Sequence, residues 1–153
     1  MTKLSFDVIS ALQGKTLATA ESCTGGGIGA ALTAVPGSSK VYKGGIISYT
    51  NDVKMKMLGV SSNTLNADGA VSEKVAEAMA VGVRKLLNTD VAVSVTGLAG
   101  PEGDTYGNPV GTVYIGYSDA KLSATEHFHF EGDRESIRAQ AVTAALCIIL
   151  NHN

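Results

Sequence analysis

The sequence predicts an α/β fold, a three-layer α/β/α sandwich around a mixed sheet, and three observations carry that expectation. Residues 90–97, Asp90-Val91-Ala92-Val93-Ser94-Val95-Thr96-Gly97, are almost continuously apolar, as an interior strand covered on both faces must be. Helical periodicity flanks this run, over 73–87 before it and 134–150 after it. Residues 112–117 and 122–130 can pair across the Ser118-Asp119-Ala120-Lys121 turn, which adds an antiparallel hairpin to strands otherwise joined by helices.

Taken in order, Phe6, Ile9, Ala11 and Leu12 form a short amphipathic helix that Gly14 ends. A strand over 16–20 runs into Ala20-Glu21-Ser22-Cys23-Thr24-Gly25-Gly26, and a helix of small residues leaves that loop from 27 to about 34. Pro36-Gly37-Ser38-Ser39 is a turn. Residues 41–50 read as a strand whose Gly44-Gly45 implies a bulge or a close backbone approach. Asn51-Asp52 cap a short helix through Leu58. Ser72 is a good N-cap for the helix over 73–87, where Val75, Ala76, Met79, Ala80 and Val83 keep helical spacing. A loop rich in glycine and proline spans 97–111, and Gly132-Asp133 precede the last helix.

With 153 residues the chain is expected to be a single domain, 1–153, that builds a core without staples. A net charge of −2 and no basic run argue against nucleic acid as a partner. The first residues lack the apolar core of a signal peptide, and the longest apolar stretch, 139–150, is too short and too polar to span a bilayer. A cytoplasmic protein away from membranes is therefore expected. Cys23 and Cys147 sit in different contexts, so no disulfide is expected; Cys147, in a helical apolar pattern, reads as core.

The loop Glu21 to Gly26 is the richest in chemistry. It joins a strand end to a helix start, where free N–H groups and partial positive charge suit an anion or a developing oxyanion. In open α/β sheets, sites gather beyond the carboxyl ends of strands, so this loop and Thr96-Gly97 are expected to meet. Hydroxyls, a tyrosine and a lysine are added by Gly37-Ser38-Ser39 and by Ser48-Tyr49-Thr50-Asn51 with Lys54. Arg134 and Arg138 stand one turn apart at a helix start, a pair that suits a phosphate, although a solvated pair has the same spacing.

No histidine is placed for a Ser-His-Asp triad. His127 and His129 alternate along a strand and face one side, with no third residue spaced to complete a metal site; a solvated strand face explains them better. A serine nucleophile then needs lysine or tyrosine as its base, and lysine serves once burial lowers its pKa. On spacing alone Lys54 is a solvated helix lysine, Tyr49 a packed aromatic and Ser39 a turn residue. Cys23 is a rival nucleophile, since a helix start depresses a thiol pKa. Gly25-x-Gly27-x-x-Ala30 fits a dinucleotide fingerprint only loosely and lacks its acidic partner.

Seven motifs stand in order: Glu21-Ser-Cys-Thr-Gly-Gly26, Pro36-Gly-Ser-Ser39, Gly45-x-x-x-Tyr-x-Asn51 with Lys54, Gly69-Ala-Val-Ser-Glu73, Val95-Thr-Gly-Leu-Ala-Gly-Pro101, Pro109-Val-Gly-Thr-Val113 and Gly132-Asp-Arg-x-x-x-Arg138. As a set they resemble the CinA C-terminal domain family, the nicotinamide mononucleotide deamidases, over nearly the whole chain and in a stand-alone form. Leu98 replaces the family's usual isoleucine and Tyr42 a frequent phenylalanine, and neither touches a proposed catalytic group.

The resemblance implies an amidohydrolase that converts nicotinamide mononucleotide to nicotinic acid mononucleotide and ammonia; no metal ligand set is visible in the residues, so no metal and no cofactor are expected. It makes Ser39 the nucleophile, Tyr49 and Lys54 the proton-handling partners, and Thr96 with Gly97 the amide-positioning or oxyanion group. Arg134 or Arg138 would hold the phosphate. Glu21, Ser22, Cys23, Thr24 and Gly25 would shape the pocket, across a subunit boundary in a homo-oligomer. The contrasting reading is a non-catalytic nucleotide-binding domain that acts through a partner.

Overall fold

The computed structural model describes residues 2–153. Its elements are α1 (Thr2–Ala11), β1 (Leu17–Glu21), α2 (Gly27–Thr33), β2 (Tyr42–Ile47), α3 (Asn51–Leu58), α4 (Ser62–Asp68), α5 (Glu73–Leu87), β3 (Val91–Gly97), β4 (Thr112–Ser118), β5 (Ser123–His129) and α6 (Arg134–Asn151), with a 3-10 turn at Ser38–Lys40. The five strands form one sheet in the order β2-β1-β3-β4-β5. β1 runs parallel to both β2 and β3, whereas β4 and β5 are antiparallel, so the sheet is mixed as expected. α1, α2 and α6 pack together on one face, and α5 with α3 and α4 covers the other.

Alternation along β1 assigns its side chains to the two faces. Leu17 joins the core shared with α1, α2 and α6, while Ala18 and Ala20 join the core under α5. Thr19 and Glu21 therefore point to the α2 side, and Ser22, next in register, to the α3–α5 side. The Ala side chains, with Gly116 on β4, let α5 lie close to the sheet. A Cβ on Gly116 would collide with Ala76 O, and Ser94 Oγ donates to that same carbonyl at 2.6 Å. α5 buries Val75, Met79 and Val83 there, each worth roughly 1.5–3 kcal/mol of transfer free energy.

Gly44-Gly45 meets both expectations at once. The β1–β2 register slips between Leu17 and Ala18, which leaves a bulge at Lys43, and a Cβ on Gly45 would overlap Thr19 Oγ1. Tyr42, where a phenylalanine is frequent, spends its hydroxyl on Thr19 Oγ1 at 2.7 Å.

One element was not anticipated and one expectation is corrected. α4 has no apolar periodicity and buries only Leu65, which is why its pattern does not announce it; Ser61 caps it, accepting from Asn63 N at 3.2 Å. Cys147 is exposed rather than core. α6 buries Ile137, Ala141, Val142, Ala145, Leu146, Ile148 and Ile149, and the stripe Ser136, Gln140, Thr143, Cys147 falls on its outward side. Among the described residues no helix is long and apolar enough to cross a membrane.

Candidate active site

β1 hands the chain to α2 on one face of the sheet, and its neighbour β2 hands it to α3 on the other. A crevice opens where adjacent strands diverge in this way. Here it is a cleft of about 610 Å³. Ser22 and Cys23 from the end of β1, and Tyr49, Thr50, Asn51 and Lys54 from the β2–α3 corner, form one side. Ala70 and Val71, residues 96–103 at the end of β3 and in the loop after it, and Arg134 at the start of α6 complete it.

Lys54 is the centre of the cleft. Its side chain is 1% exposed, and Nζ donates to Ser22 Oγ at 3.0 Å and to Ser48 O at 2.7 Å, with a longer contact to Tyr49 O at 3.4 Å. Among the described residues no carboxylate pairs with it. Burial without a counter-charge disfavours the ammonium and brings its pKa down to about 8. The bland reading of Lys54 as a solvated helix lysine is thereby excluded. Ser22, on the α3 side by strand alternation, is the hydroxyl that this lysine meets. Ser48 Oγ is buried with no hydrogen-bond partner among the described residues.

The remaining loop residues divide between wall and scaffold. Glu21 is buried and turned to the α2 side. Its Oε1 accepts from Thr24 Oγ1 at 2.7 Å and Ile28 N at 2.8 Å, and its Oε2 from Gly29 N at 3.0 Å. It neutralises the start of α2 instead of lining the cleft, and Thr24 and Gly25 stay outside the lining as well. Cys23 does line the cleft, but burial pushes its thiol up to about 11, so it is protonated and poorly nucleophilic. The helix start that was expected to activate it faces Glu21.

The two arginines separate. Arg134 reaches across the cleft mouth, donating to Gly100 O at 2.6 Å and to Tyr49 OH at 3.1 Å. Arg138 turns inward to the carbonyls of Cys23 at 3.0 Å and Thr24 at 3.3 Å and does not line the cleft. Thr96 donates its hydroxyl to Ala70 O at 2.8 Å, which holds the 70–71 wall in place. Gly97 beside it must be glycine, since a Cβ would stand 2.7 Å from Val113 Cγ2 and 3.2 Å from Cys23 Sγ.

Ser39 is not brought to Tyr49 or Lys54 within one chain. It is exposed on the turn that precedes β2, whereas Ser48 and Tyr49 follow that strand. The six residues of β2 separate the two ends by about 20 Å at the rise of an extended chain. Because β2 runs parallel to β1, this puts Ser39 at the amino end of the sheet, away from the cleft. His127 and His129 are exposed on β5, as a solvated face requires, with His127 stacked on Tyr114 at 4.5 Å. No cluster of metal-ligating side chains occurs among the described residues. Ala70 and Val71 are cleft residues that composition does not announce; their place in the Gly69-Ala-Val-Ser-Glu73 motif is the signal that marks them.

The model of the CinA C-terminal domain matches residues 2–152. A CinA-like protein of Endomicrobium trichonymphae is 50% identical over 135 residues, 88% of this chain and 32% of that protein. One of Synechocystis is 48% identical over 140 residues, 92% of this chain and 33% of the relative. The chain thus spans about a third of the length of these curated relatives. The crystal structure of the competence/damage inducible protein CihA from Agrobacterium tumefaciens superposes with a TM-score of 0.95 at 38% identity, covering 98% of this chain and 93% of that one. A competence-damaged protein (CinA) superfamily structure from Escherichia coli gives 0.92 at 40% identity over 99% and 87% of the two chains. With its motifs, its sheet order and these likenesses in agreement, the chain belongs to the CinA C-terminal domain family.

Proposed function

We propose that the cleft hydrolyses a primary carboxamide, that of nicotinamide mononucleotide, to the carboxylate and ammonia. The observation that carries this reading is the buried Lys54 amine 3.0 Å from Ser22 Oγ, a base and a nucleophile in hydrogen-bond reach. With its pKa near 8, Lys54 has a useful free-base fraction at neutral pH. In that form it takes the Ser22 proton as Oγ bonds to the amide carbon. The carbonyl pair moves onto oxygen, and the ammonium formed is held by Ser48 O at 2.7 Å. Collapse returns the pair, breaks the C–N bond and expels ammonia with the proton from Lys54. Water then hydrolyses the ester by the same route, releasing the acid and restoring Ser22.

Arg134 is the cation at the cleft mouth, suited to the substrate's phosphate, and Tyr49 beside it offers a ring to the pyridinium. Ser39 would reach the cleft only from a second copy of the chain.

Ammonia release from nicotinamide mononucleotide by the wild type, Ser22→Ala and Ser39→Ala tests the reading. Expected is turnover by wild type and loss beyond about 10³-fold in Ser22→Ala. Activity kept in Ser22→Ala and lost in Ser39→Ala returns the nucleophile to Ser39. Tight binding of the mononucleotide without turnover overturns the enzyme reading in favour of a binding domain.

A further inference from the structure

Arg134 is the first residue of α6, and its exposed side chain joins the two walls of the cleft at the mouth. On one wall Nη1 donates to Gly100 O at 2.6 Å, and on the other Nη2 donates to Tyr49 OH at 3.1 Å. These acceptors are a carbonyl and a hydroxyl, and among the described residues no carboxylate pairs with Arg134. Two of the five guanidinium N–H groups are thus used to fix its plane, which leaves three for a ligand. A planar cation anchored at two corners and not neutralised suits a phosphate, which accepts such N–H groups in pairs.

Each anchor has its own support. Gly100 has φ +86°, and a Cβ there would stand 2.7 Å from Val110 Cγ1, so the backbone that offers this carbonyl requires glycine. Tyr49 lies at the corner after β2, whose main chain holds the reacting end of the cleft. Ser48 O accepts from Lys54 Nζ at 2.7 Å, with Tyr49 O at 3.4 Å. One corner therefore carries Lys54 on its main chain and Arg134 on a side chain. The Tyr49 side chain is 57% exposed, and its hydroxyl meets Arg134 rather than Ser22 or Lys54.

We infer that the Tyr49 hydroxyl is a positioning group for phosphate: it holds Arg134 across the mouth, at a fixed span from Lys54, and makes the cleft select amides that carry a phosphomonoester over unphosphorylated ones. This rests on the amide-hydrolysis reading above and deepens it by naming what sets the substrate class. Released from one anchor, the long arginine side chain must be ordered again each time a phosphate binds, and affinity falls by that entropy. Tyr49, anticipated as a proton-handling partner, thereby serves the anion end of the cleft, while its ring remains open to the pyridinium.

The test compares wild type, Tyr49→Phe, Arg134→Ala and the double variant; phenylalanine keeps the ring and the main-chain carbonyl and removes only the hydroxyl. Calorimetry gives Kd for nicotinic acid mononucleotide and nicotinic acid riboside, neither of which amide hydrolysis consumes. Ammonia release from nicotinamide mononucleotide gives kcat and KM. Expected is a wild-type preference for the phosphorylated ligand of about 10²-fold, reduced about tenfold in Tyr49→Phe and nearly abolished in Arg134→Ala. The double variant should lose no more than Arg134→Ala alone, because the hydroxyl acts through the arginine. In Tyr49→Phe, KM should rise about tenfold with kcat within about threefold of wild type. Equal losses for both ligands, or losses that add in the double variant, overturn the inference. A fall in kcat beyond about 10²-fold at kept KM also overturns it and gives the hydroxyl to proton transfer. A Tyr49-dependent preference without ammonia release sinks the amidase reading and leaves the phosphate role standing. No preference in a wild type that releases ammonia overturns the inference alone; neither preference nor release overturns both.

Discussion

Replacing Lys54 with methionine isolates the energetic consequence of burying a lysine without a counter-charge. The ordinary lysine value near 10.5 falls to about 8 in the fold, because the 1% exposed side chain has lost its hydration. The unfolded chain keeps its proton up to the ordinary value, whereas the folded chain releases it near 8. Between those limits the unfolded state binds more protons, so stability rises with pH by up to 1.36 kcal/mol per unit, as linkage requires. Summed over the window this reaches roughly 3 kcal/mol, an upper figure for one group. Below pH 8 both states are protonated and the penalty is present in full. Cys23 and Tyr117, whose values are raised by burial, contribute with the opposite sign, but they are present in both proteins and largely cancel in the comparison. The assay is urea unfolding of wild type and Lys54→Met from pH 7 to 10.5. The wild type should gain on the variant by about 2–3 kcal/mol across the window, and the variant should lose ammonia release at every pH. In wild type, kcat/KM should climb about tenfold per pH unit up to 8 and then level. A stability difference that stays flat through the window, or activity that survives in the variant, refutes a depressed, catalytic Lys54.

Gly82 lies inside α5, where alanine ordinarily stabilises a helix by about 1 kcal/mol. Here its Cβ would overlap Leu58 O at the end of α3, so Gly82→Ala should instead destabilise by about 1–3 kcal/mol and lower the melting temperature; a rise would mean that α3 moves aside freely. Glu21→Gln keeps the shape of the α2 cap but can no longer accept from Thr24 Oγ1, Ile28 N and Gly29 N with full charge. A loss of about 2 kcal/mol in urea unfolding is expected, with KM unchanged if its role is structural. Dialysis against EDTA should leave the rate of ammonia release unaltered; a large loss restored by a divalent cation would contradict a Ser–Lys mechanism.

Local pattern was enough for the fold class and most elements, because burial periodicity is written into neighbouring residues. The apolar run of β3, the spacing of α5 and the Ser72 cap need no tertiary information. α4 escaped because a helix anchored by Leu65 alone has no period to read. Cys147 reads as core from its apolar neighbours Ala144 to Leu150, but it continues the stripe Ser136, Gln140, Thr143, which packing leaves on the outside.

At the candidate site, the loops rich in chemistry and the family resemblance together marked Ser22, Cys23, Tyr49, Lys54, Thr96, Gly97 and Arg134, which line one cleft, and also Glu21, Thr24, Gly25, Ser39 and Arg138, which do not. They also offered two serines for one lysine. Strand direction separates them: Ser22 follows β1 and Ser39 precedes the parallel β2, so the two lie at opposite ends of the sheet. What sequence by itself determined is which groups this chain can bring to a reaction, since side-chain chemistry and strand alternation are local properties. What only the tertiary structure decided is their state and their partners: a lysine stripped of water, a thiol kept neutral, a glutamate spent on a helix start, and one arginine at the cleft mouth while the other holds backbone carbonyls. Those depend on burial and on contacts between residues far apart in the chain, where distance along the sequence carries no information about distance in space.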